Sequence, residues 1–427
     1  MTPPRKRIAI IGSGISGLAS AYFLSRKHDV ALFEAADYLG GHTHTVDVML
    51  EGRSHGVDTG FLVYNEHTYP NLVALFDELG VASIASDMSF GVSMEDGALE
   101  WAGTSLGTVF AQRANMGSPS FVRMLWDILH FNRNAERFLQ LSNQTGLTLG
   151  QLLQQQGYGA RFRDAYLLPM AAAIWSSSPN DILQFPAATF LRFCLNHALL
   201  QVNDRPQWRT VAGGARNYVE RIAAVLPDVR LRTPVHAVRR RNGRLEVARG
   251  SAGSEEFDAV VMATHAPNTL ALLPEASETE RAILGAVRYQ PNTAWLHTDA
   301  QLMPRRRKVW SAWNYLSGAA SAGQRPVCVS YWLNQLQALP FATPVIVTLN
   351  PHTPPAGDKL LAKFEYDHPI MDQATVRAQQ QLAQIQGDGG IWYAGAWTGY
   401  GFHEDGLKSA LRIAAAFDAA PAWTTLP

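Results

Sequence analysis

The chain has 427 residues, 47% of them hydrophobic and 17% charged, which is long enough for two or three domains and apolar enough to exclude general disorder. Lys plus Arg and Asp plus Glu each total 36, so no global field recruits nucleic acid and no nucleic-acid partner is expected. Two cysteines, Cys194 and Cys328, exclude a disulfide scaffold and a thiolate zinc cluster; reduced cytosolic thiols and no metal are the expectation.

Met1 to Arg7 is basic, but the apolar run Ile8 to Ile11 is stopped by Gly12, so no secretion signal is read. No stretch approaches the roughly 20 apolar residues that span a bilayer. The expectation is a cytoplasmic protein whose membrane contact, if it has one, is peripheral and on the inner face.

In chain order, Arg7 to Ile11 reads as a strand, Gly12 to Gly17 as a glycine turn, Leu18 to Arg26 as a helix and Asp29 to Glu34 as a second strand, a βαβ unit at the start. From about Gly80 to Arg205 the pattern becomes helical, with Ser118-Pro119 as cap and first turn before a helix over Phe121 to Leu141. After Arg209 come Gly213-Gly214, a helix through Tyr218 to Val225, and short strands around Val229, Val235 to Arg240, Leu245 to Ala248 and Ala259 to Ala263. Pro267 to His368 mixes strands and loops. The chain closes with Ile391 to Ala394, a glycine turn and a helix from about Gly406 to Phe417.

Gly12, Gly14 and Gly17 make GxGxxG between a strand and a helix, and Glu34 closes the next strand 20 residues after Gly14. In this arrangement the first glycine allows the turn, the second lets a diphosphate reach backbone N–H groups at the positive helix end, and the third permits close helix packing. Glu34 would accept from ribose hydroxyls, and its charge argues against a 2′-phosphate. The motif alone does not choose NAD from FAD.

Leu39-Gly40-Gly41-His42-Thr43 follows, and near the other end stand Tyr393-Ala394-Gly395-Ala396-Trp397 and Gly401-Phe402-His403-Glu404-Asp405-Gly406-Leu407. These segments resemble the FAD-dependent amine oxidase, protoporphyrinogen oxidase and phytoene desaturase superfamily, and Asp58 to Asn65 with Gly399 to Gly406 is similar to a bacterial group of NAD/FAD-binding, amine-oxidase-like proteins. His42 departs from the Arg or Ser usual after the paired glycines. The resemblance implies an α/β fold with a Rossmann-type FAD-binding domain (1–80, 206–266 and 386–427) interleaved with an α+β substrate domain containing a helical lobe (81–205 and 267–385). It implies FAD held by Gly12, Gly14, Ser16, Gly17, Glu34, Ala35, Gly40, Gly41, His42, Thr43, Gly60, Phe61, Val235, Thr264, Gly395, Glu404, Asp405, Gly406 and Leu407. The last helix would turn its N-terminus toward the flavin.

Such a flavin takes a hydride at N5 from a C–H held against the ring. No HExxH, GxSxG or paired-cysteine motif competes with that chemistry. His403 stands where amine oxidases of this superfamily carry an aromatic residue; it is read either as a base or donor at the ring or as a packing and capping residue. Tyr400, Trp175 and Tyr64 join it as catalytic candidates, and Ser176, Asn65 and Tyr69 lie in segments that resemble flavin-proximal ones.

Phe121, Met124, Leu125, Ile128 and Leu129 recur at helical spacing beside Arg113, Arg123, Arg133 and Arg137, which reads as a core stripe with a solvated face or as a helix docked on a membrane. Arg305-Arg306-Arg307-Lys308 is a second basic knot. The expected function is an FAD-dependent oxidoreductase of desaturase, saturase or isomerase type acting on a lipid, such as a fatty-acyl chain, or another apolar small molecule. A flavin amine oxidase and a non-catalytic flavin-binding protein are the alternatives.

Overall fold

The computed structural model describes residues 4–175, 177–201, 206–318 and 328–426. Five parallel strands, Arg7–Ile11 (β1), Asp29–Phe33 (β2), Val229–Arg230 (β3), Ala259–Met262 (β4) and Ile391–Tyr393 (β5), form one sheet in the order β3-β2-β1-β4-β5. β1 and β2 each carry four consecutive buried residues, the pattern of central parallel strands covered on both faces. The sheet therefore gathers residues from the start, middle and end of the chain.

Of three helices, Ile15–Leu24 (α1), Pro119–Arg133 (α2) and His403–Ala416 (α3), the first and last stand at the site and α2 lies in the helical lobe. α1 leaves the turn after β1, and α3 follows β5. The two pack against each other at Gly406, where a Cβ would stand 2.7 Å from Ile15 Cγ2 and 2.9 Å from Ser16 Oγ. This close crossing fixes the final helix beside the opening turn, with Leu18, Leu407, Ala410 and Leu411 in one buried cluster.

A seven-stranded sheet builds the second domain, in the order Leu360–Pro369, Tyr289–His297, Ile346–Leu349, Cys328–Trp332, Trp313–Leu316, Phe90–Met94, Leu99–Ala102. The last two strands lie in the stretch read as helical from Gly80 onward. They are four or five residues long, and their identity comes from pairing, Phe90–Met94 with Trp313–Leu316 and Leu99–Ala102 with Phe90–Met94, rather than from a local pattern. The helical lobe covers this sheet. Its long helix is two: α2, started by Ser118 accepting from Phe121 N with Pro119 in the first turn, ends at Asn134, and Ala135–Thr145 follows. The fold is a Rossmann-type domain interleaved with an α+β domain that carries a helical lobe.

Candidate cofactor and active site

One cavity of about 500 Å³ runs between the two domains, and both chain ends line it: Gly12 to Ser16 on one wall, Gly395 to Trp397 and Tyr400 to His403 on another. At the turn, Gly12 takes φ +99°, a conformation that side chains with a Cβ avoid. Gly14 is needed for a different reason. Its backbone is ordinary (φ −60°, ψ 176°), and a Cβ there would meet nothing within 4 Å, so the missing side chain leaves open space in front of α1. The first-turn N–H groups of a helix have no intrahelical partner and favour an anion. Gly17 does not line the cavity; a Cβ there would stand 1.8 Å from the Gly12 carbonyl oxygen, so it serves packing of α1 on the turn.

Glu34 and Ala35 border the same end. The Glu34 carboxylate accepts from Ser13 N (2.9 Å), Ser13 Oγ (2.6 Å) and Ala36 N (2.8 Å), which holds it beside the turn. Gly40 and Gly41 close over the turn: Gly40 N donates to the Ser13 carbonyl at 3.1 Å, and Gly41 approaches Gly14 closely enough that a Cβ would stand 3.2 Å from its Cα. Gly60 in turn lies against His42, where a Cβ would be 2.2 Å from the His42 carbonyl oxygen. Thr264, after β4, also lines the wall. Val235 stands outside it, half-buried against the cluster of Ala9, Phe33 and Val238.

His403 lines the cavity with its ring committed on both sides. It stacks on Phe61 at 3.6 Å and 16°, and its Nε2 lies 2.8 Å from Thr43 Oγ1 and 3.2 Å from Tyr218 OH. Burial, with His42 nearby, pushes its pKa down to about 3. His403 is therefore a neutral ring positioned by Thr43 and Tyr218, which corrects the picture of a free base at the site. Thr43 itself is buried and absent from the wall.

After His403, the next residues of α3, Glu404 to Leu407, do not line the cavity. The helix starts at His403, three positions before the expected Gly406, and this turns Glu404 away: it accepts from Asn71 Nδ2 (2.7 Å), Asn71 N (3.2 Å) and Leu72 N (3.0 Å). Asp405 accepts from Tyr400 N (3.0 Å) and Phe402 N (3.1 Å), which shapes the turn that carries Tyr400 and His403; burial raises its pKa to about 6. Gly406 and Leu407 belong to the contact with α1. Asp58 is likewise structural, accepting from Ala215 N at 2.9 Å and Gln337 Nε2 at 2.7 Å, and burial raises it to about 6.

A second, largely apolar group of lining residues, Leu62, Tyr69, Ile174, Trp175, Phe193, Tyr331, Tyr400 and Phe402, walls the part of the cavity termed the chamber. Trp175 lies 4.6 Å from Phe193, which stacks on Phe402. Tyr64, expected beside a ring, is buried against Phe76 at 5.2 Å and takes no part in the wall. Asn65 is tied into its own turn by bonds from His67 N and Thr68 N. Ser176 falls outside the described residues.

Sequence reading missed four wall residues. His197, in the chamber, is stacked on Phe193 at 3.9 Å, and its Nδ1 donates to the Phe193 carbonyl at 3.0 Å, so in the neutral ring Nε2 is the acceptor. His265, Tyr366 and His368 face His42 across the cofactor end, with centroids 5.9, 5.2 and 5.3 Å from its ring. Phe364, Tyr366 and His368 alternate along one strand, a period-two signal that was available.

Four buried polar atoms without partners border this cavity: His42 Nε2, Trp175 Nε1, Trp313 Nε1 and Trp397 Nε1. Buried polar groups are normally paired, so this wall suits a bound molecule with its own donors and acceptors. The open space at Gly14 before a helix N-terminus, with an acidic residue beside it, fits a dinucleotide.

The model of the flavin containing amine oxidoreductases matches residues 15–332. Among solved structures, a conjugated-linoleic-acid-producing fatty acid isomerase from P. acnes is 16% identical with a TM-score of 0.68, over 96% of this chain and 98% of that one. Wild-type putrescine oxidase bound to putrescine is 16% identical with a TM-score of 0.66, over 97% and 99%. Cyclohexylamine oxidase from Brevibacterium oxydans is 17% identical with a TM-score of 0.66, over 97% and 100%. A search of curated proteins finds no match.

Proposed function

Because the chain belongs to the flavin containing amine oxidoreductase family, and so is a flavin-dependent oxidoreductase that uses FAD, we propose that it acts on an apolar chain such as a fatty-acyl group. The observation that carries this reading is the chamber wall. Among the described residues only Glu34 and Asp367 supply carboxylates to the cavity; Glu34 is held at the glycine turn, and the chamber of Leu62, Ile174, Trp175, Phe193 and Tyr331 has neither. An ammonium group would enter with no carboxylate to meet it, a costly desolvation, whereas a hydrocarbon gains about 25 cal/mol for each Å² it buries. One structure of similar fold is that of a fatty acid isomerase, which is compatible with this reading.

In this reading FAD, when bound, supplies the hydride acceptor. Gly12, Gly14, Ser16, Gly40, Gly41 and Gly60 leave it room along the turn. Trp175, Phe193 and Tyr400 position the substrate and exclude water. The acceptor for the proton lost beside the oxidised C–H is assigned to Nε2 of His197, which is left unprotonated by the Nδ1 bond to Phe193; burial lowers this ring to about 4, which keeps it neutral and makes it a weak base. His403 holds the Phe61 face of the site.

Among the described residues no helix is long and apolar enough to cross a membrane, yet α2 is apolar on its outer face. Phe121 and Met124 are buried, while Val122 (38% exposed), Trp126 (65%) and Leu129 (37%) stand outward at i, i+4 and i+7. Leu106 and Met116 are exposed earlier in the same lobe, and Arg113, Arg123, Arg133 and Arg137 are exposed beside them. Apolar residues including Trp, flanked by arginines, match the interface of an anionic bilayer. We infer that the lobe docks there and takes its substrate from the lipid.

The test is anaerobic mixing of the purified holoprotein with a C18 unsaturated fatty acid and, separately, with a series of primary amines. Flavin bleaching or a shifted double bond with the fatty acid, and no bleaching with amines, supports the proposal. Bleaching by amines with an unchanged fatty acid overturns it in favour of an amine oxidase.

A further inference from the structure

The cavity presents an electrostatic gap. Among the described residues not one lysine or arginine lines it, and its two carboxylates add negative charge. FAD carries a diphosphate with two negative charges, and α1 offers only the equivalent of about half a positive charge at its N-terminus. Histidines are the remaining source of cations in the wall, and three of them converge at the cofactor end.

His42 follows directly on the glycine pair that closes over Gly14, and its buried Nε2 has no partner. His265 stands just after β4 with its ring stacked on Tyr289 at 4.4 Å. His368, on the strand Leu360–Pro369, has its Nδ1 2.9 Å from Asn292 Nδ2; since the amide N–H₂ donates, that nitrogen is the acceptor, and Nε2 carries the proton of the neutral ring. The rings are spread around His42 at 5.3 and 5.9 Å, and no group of three ligands that could hold a metal ion occurs among the described residues. From every side the groups facing the cluster are Tyr366 and the Asp367 backbone, which bonds the His42 ring, together with Tyr289, Asp367 and His403.

We propose that His42, His265 and His368 form a proton-loaded anion site, so that FAD binds together with at least one proton taken up by this cluster. The inference rests on the FAD-dependent reading of the cavity and is independent of the substrate. Without the cofactor, burial holds all three rings neutral, joined at His42 and His368 by repulsion from the neighbouring histidines, with His42 and His265 at about 4 and His368 at about 3. A diphosphate placed in the same enclosure favours the charged ring and raises its pKa. The proton then arrives with the cofactor, and the neutral cluster has no reason to repel itself when the cavity is empty.

Calorimetric titration of the FAD-stripped protein with FAD, at pH 7.5 in phosphate and in Tris, reads the protons directly, since the two buffers release them with different heats. The expected result is an uptake of about one proton and an affinity that strengthens as pH falls from 8.5 to 6.5, by up to about tenfold per pH unit for each proton taken up. His42→Gln, His265→Gln and His368→Gln should each reduce the uptake, whereas His297→Gln, buried away from the cavity, should keep it. Equal heats in both buffers with a pH-independent affinity overturn the proposal without any variant, even where FAD binds tightly. Uptake that vanishes in Glu34→Gln and survives in the three histidine variants assigns the proton to the carboxylate and also overturns it. Failure of FAD to bind at all would instead refute the cofactor reading.

Discussion

Gly14→Ala separates folding from cofactor binding. The backbone at this position is one that any residue adopts, and the added methyl group meets nothing within 4 Å. As an N-cap, alanine is less favourable than glycine by about 0.5 kcal/mol, so the FAD-free variant should unfold in urea within about 0.5 kcal/mol of the parent. The same methyl occupies the space in front of α1. It keeps the diphosphate from the first-turn N–H groups, and losing one charge-assisted hydrogen bond costs about 1.5–3 kcal/mol, or roughly 10- to 150-fold in affinity. Fluorescence titration with FAD measures that loss. Wild-type affinity in the variant would show that the open space at Gly14 is not where the diphosphate lies; apo-stability lowered by 2 kcal/mol or more would show that the glycine is there for the fold.

Gly60→Ala should behave in the opposite way: its Cβ would stand 2.2 Å from the His42 carbonyl oxygen, so overpacking should destabilise the FAD-free protein by about 1–3 kcal/mol, read by urea unfolding. Acid should unfold the FAD-free protein. His42, His197, His265, His297, His368 and His403 are held at about 3 to 4 in the folded state against an ordinary 6.5, so the unfolded chain binds more protons and stability falls as pH drops from 6.5 toward 4, by up to about 1.4 kcal/mol per pH unit for each histidine. Asp58 and Asp405, raised to about 6, act in the reverse direction over pH 6 to 4, but they are two against six; pH-dependent urea midpoints that stay flat or rise would contradict this balance. Trp126→Ser should weaken sedimentation with vesicles containing phosphatidylglycerol by about tenfold, the scale of one large apolar side chain, and leave unfolding unchanged; vesicle binding equal to the parent's would remove α2 from the docking surface.

Short-range signals were the legible ones. The βαβ start could be read because β1, the glycines and Glu34 sit within 30 residues and each carries its own backbone or burial requirement. The closing motif was legible as strand, turn and helix, but the helix begins at His403, and that three-residue difference sends Glu404 to Asn71 and Leu72 and ties His403 to Thr43 and Tyr218. These partners are some 330, 360 and 185 residues apart in the chain, and no local pattern encodes them. His197, His265 and His368 were missed for the same reason: each looks like an isolated histidine until the two domains close on one cavity. On α2 the expected stripe of Phe121, Met124, Leu125, Ile128 and Leu129 is inward at Phe121 and Met124, half-buried at Leu125 and Ile128 and exposed at Leu129, because the exposure of Val122, Trp126 and Leu129 depends on what the lobe leaves uncovered.

A crystal structure of the FAD-loaded protein tests the central claim most directly. The account predicts the diphosphate against Gly12 to Ser16 with His42 in contact, and the flavin ring between Gly395 to Trp397 and His403 with its open face toward Trp175 and Phe193. A cofactor lying elsewhere, or spanning this cavity with its ring away from the Gly395 to His403 wall, would contradict it.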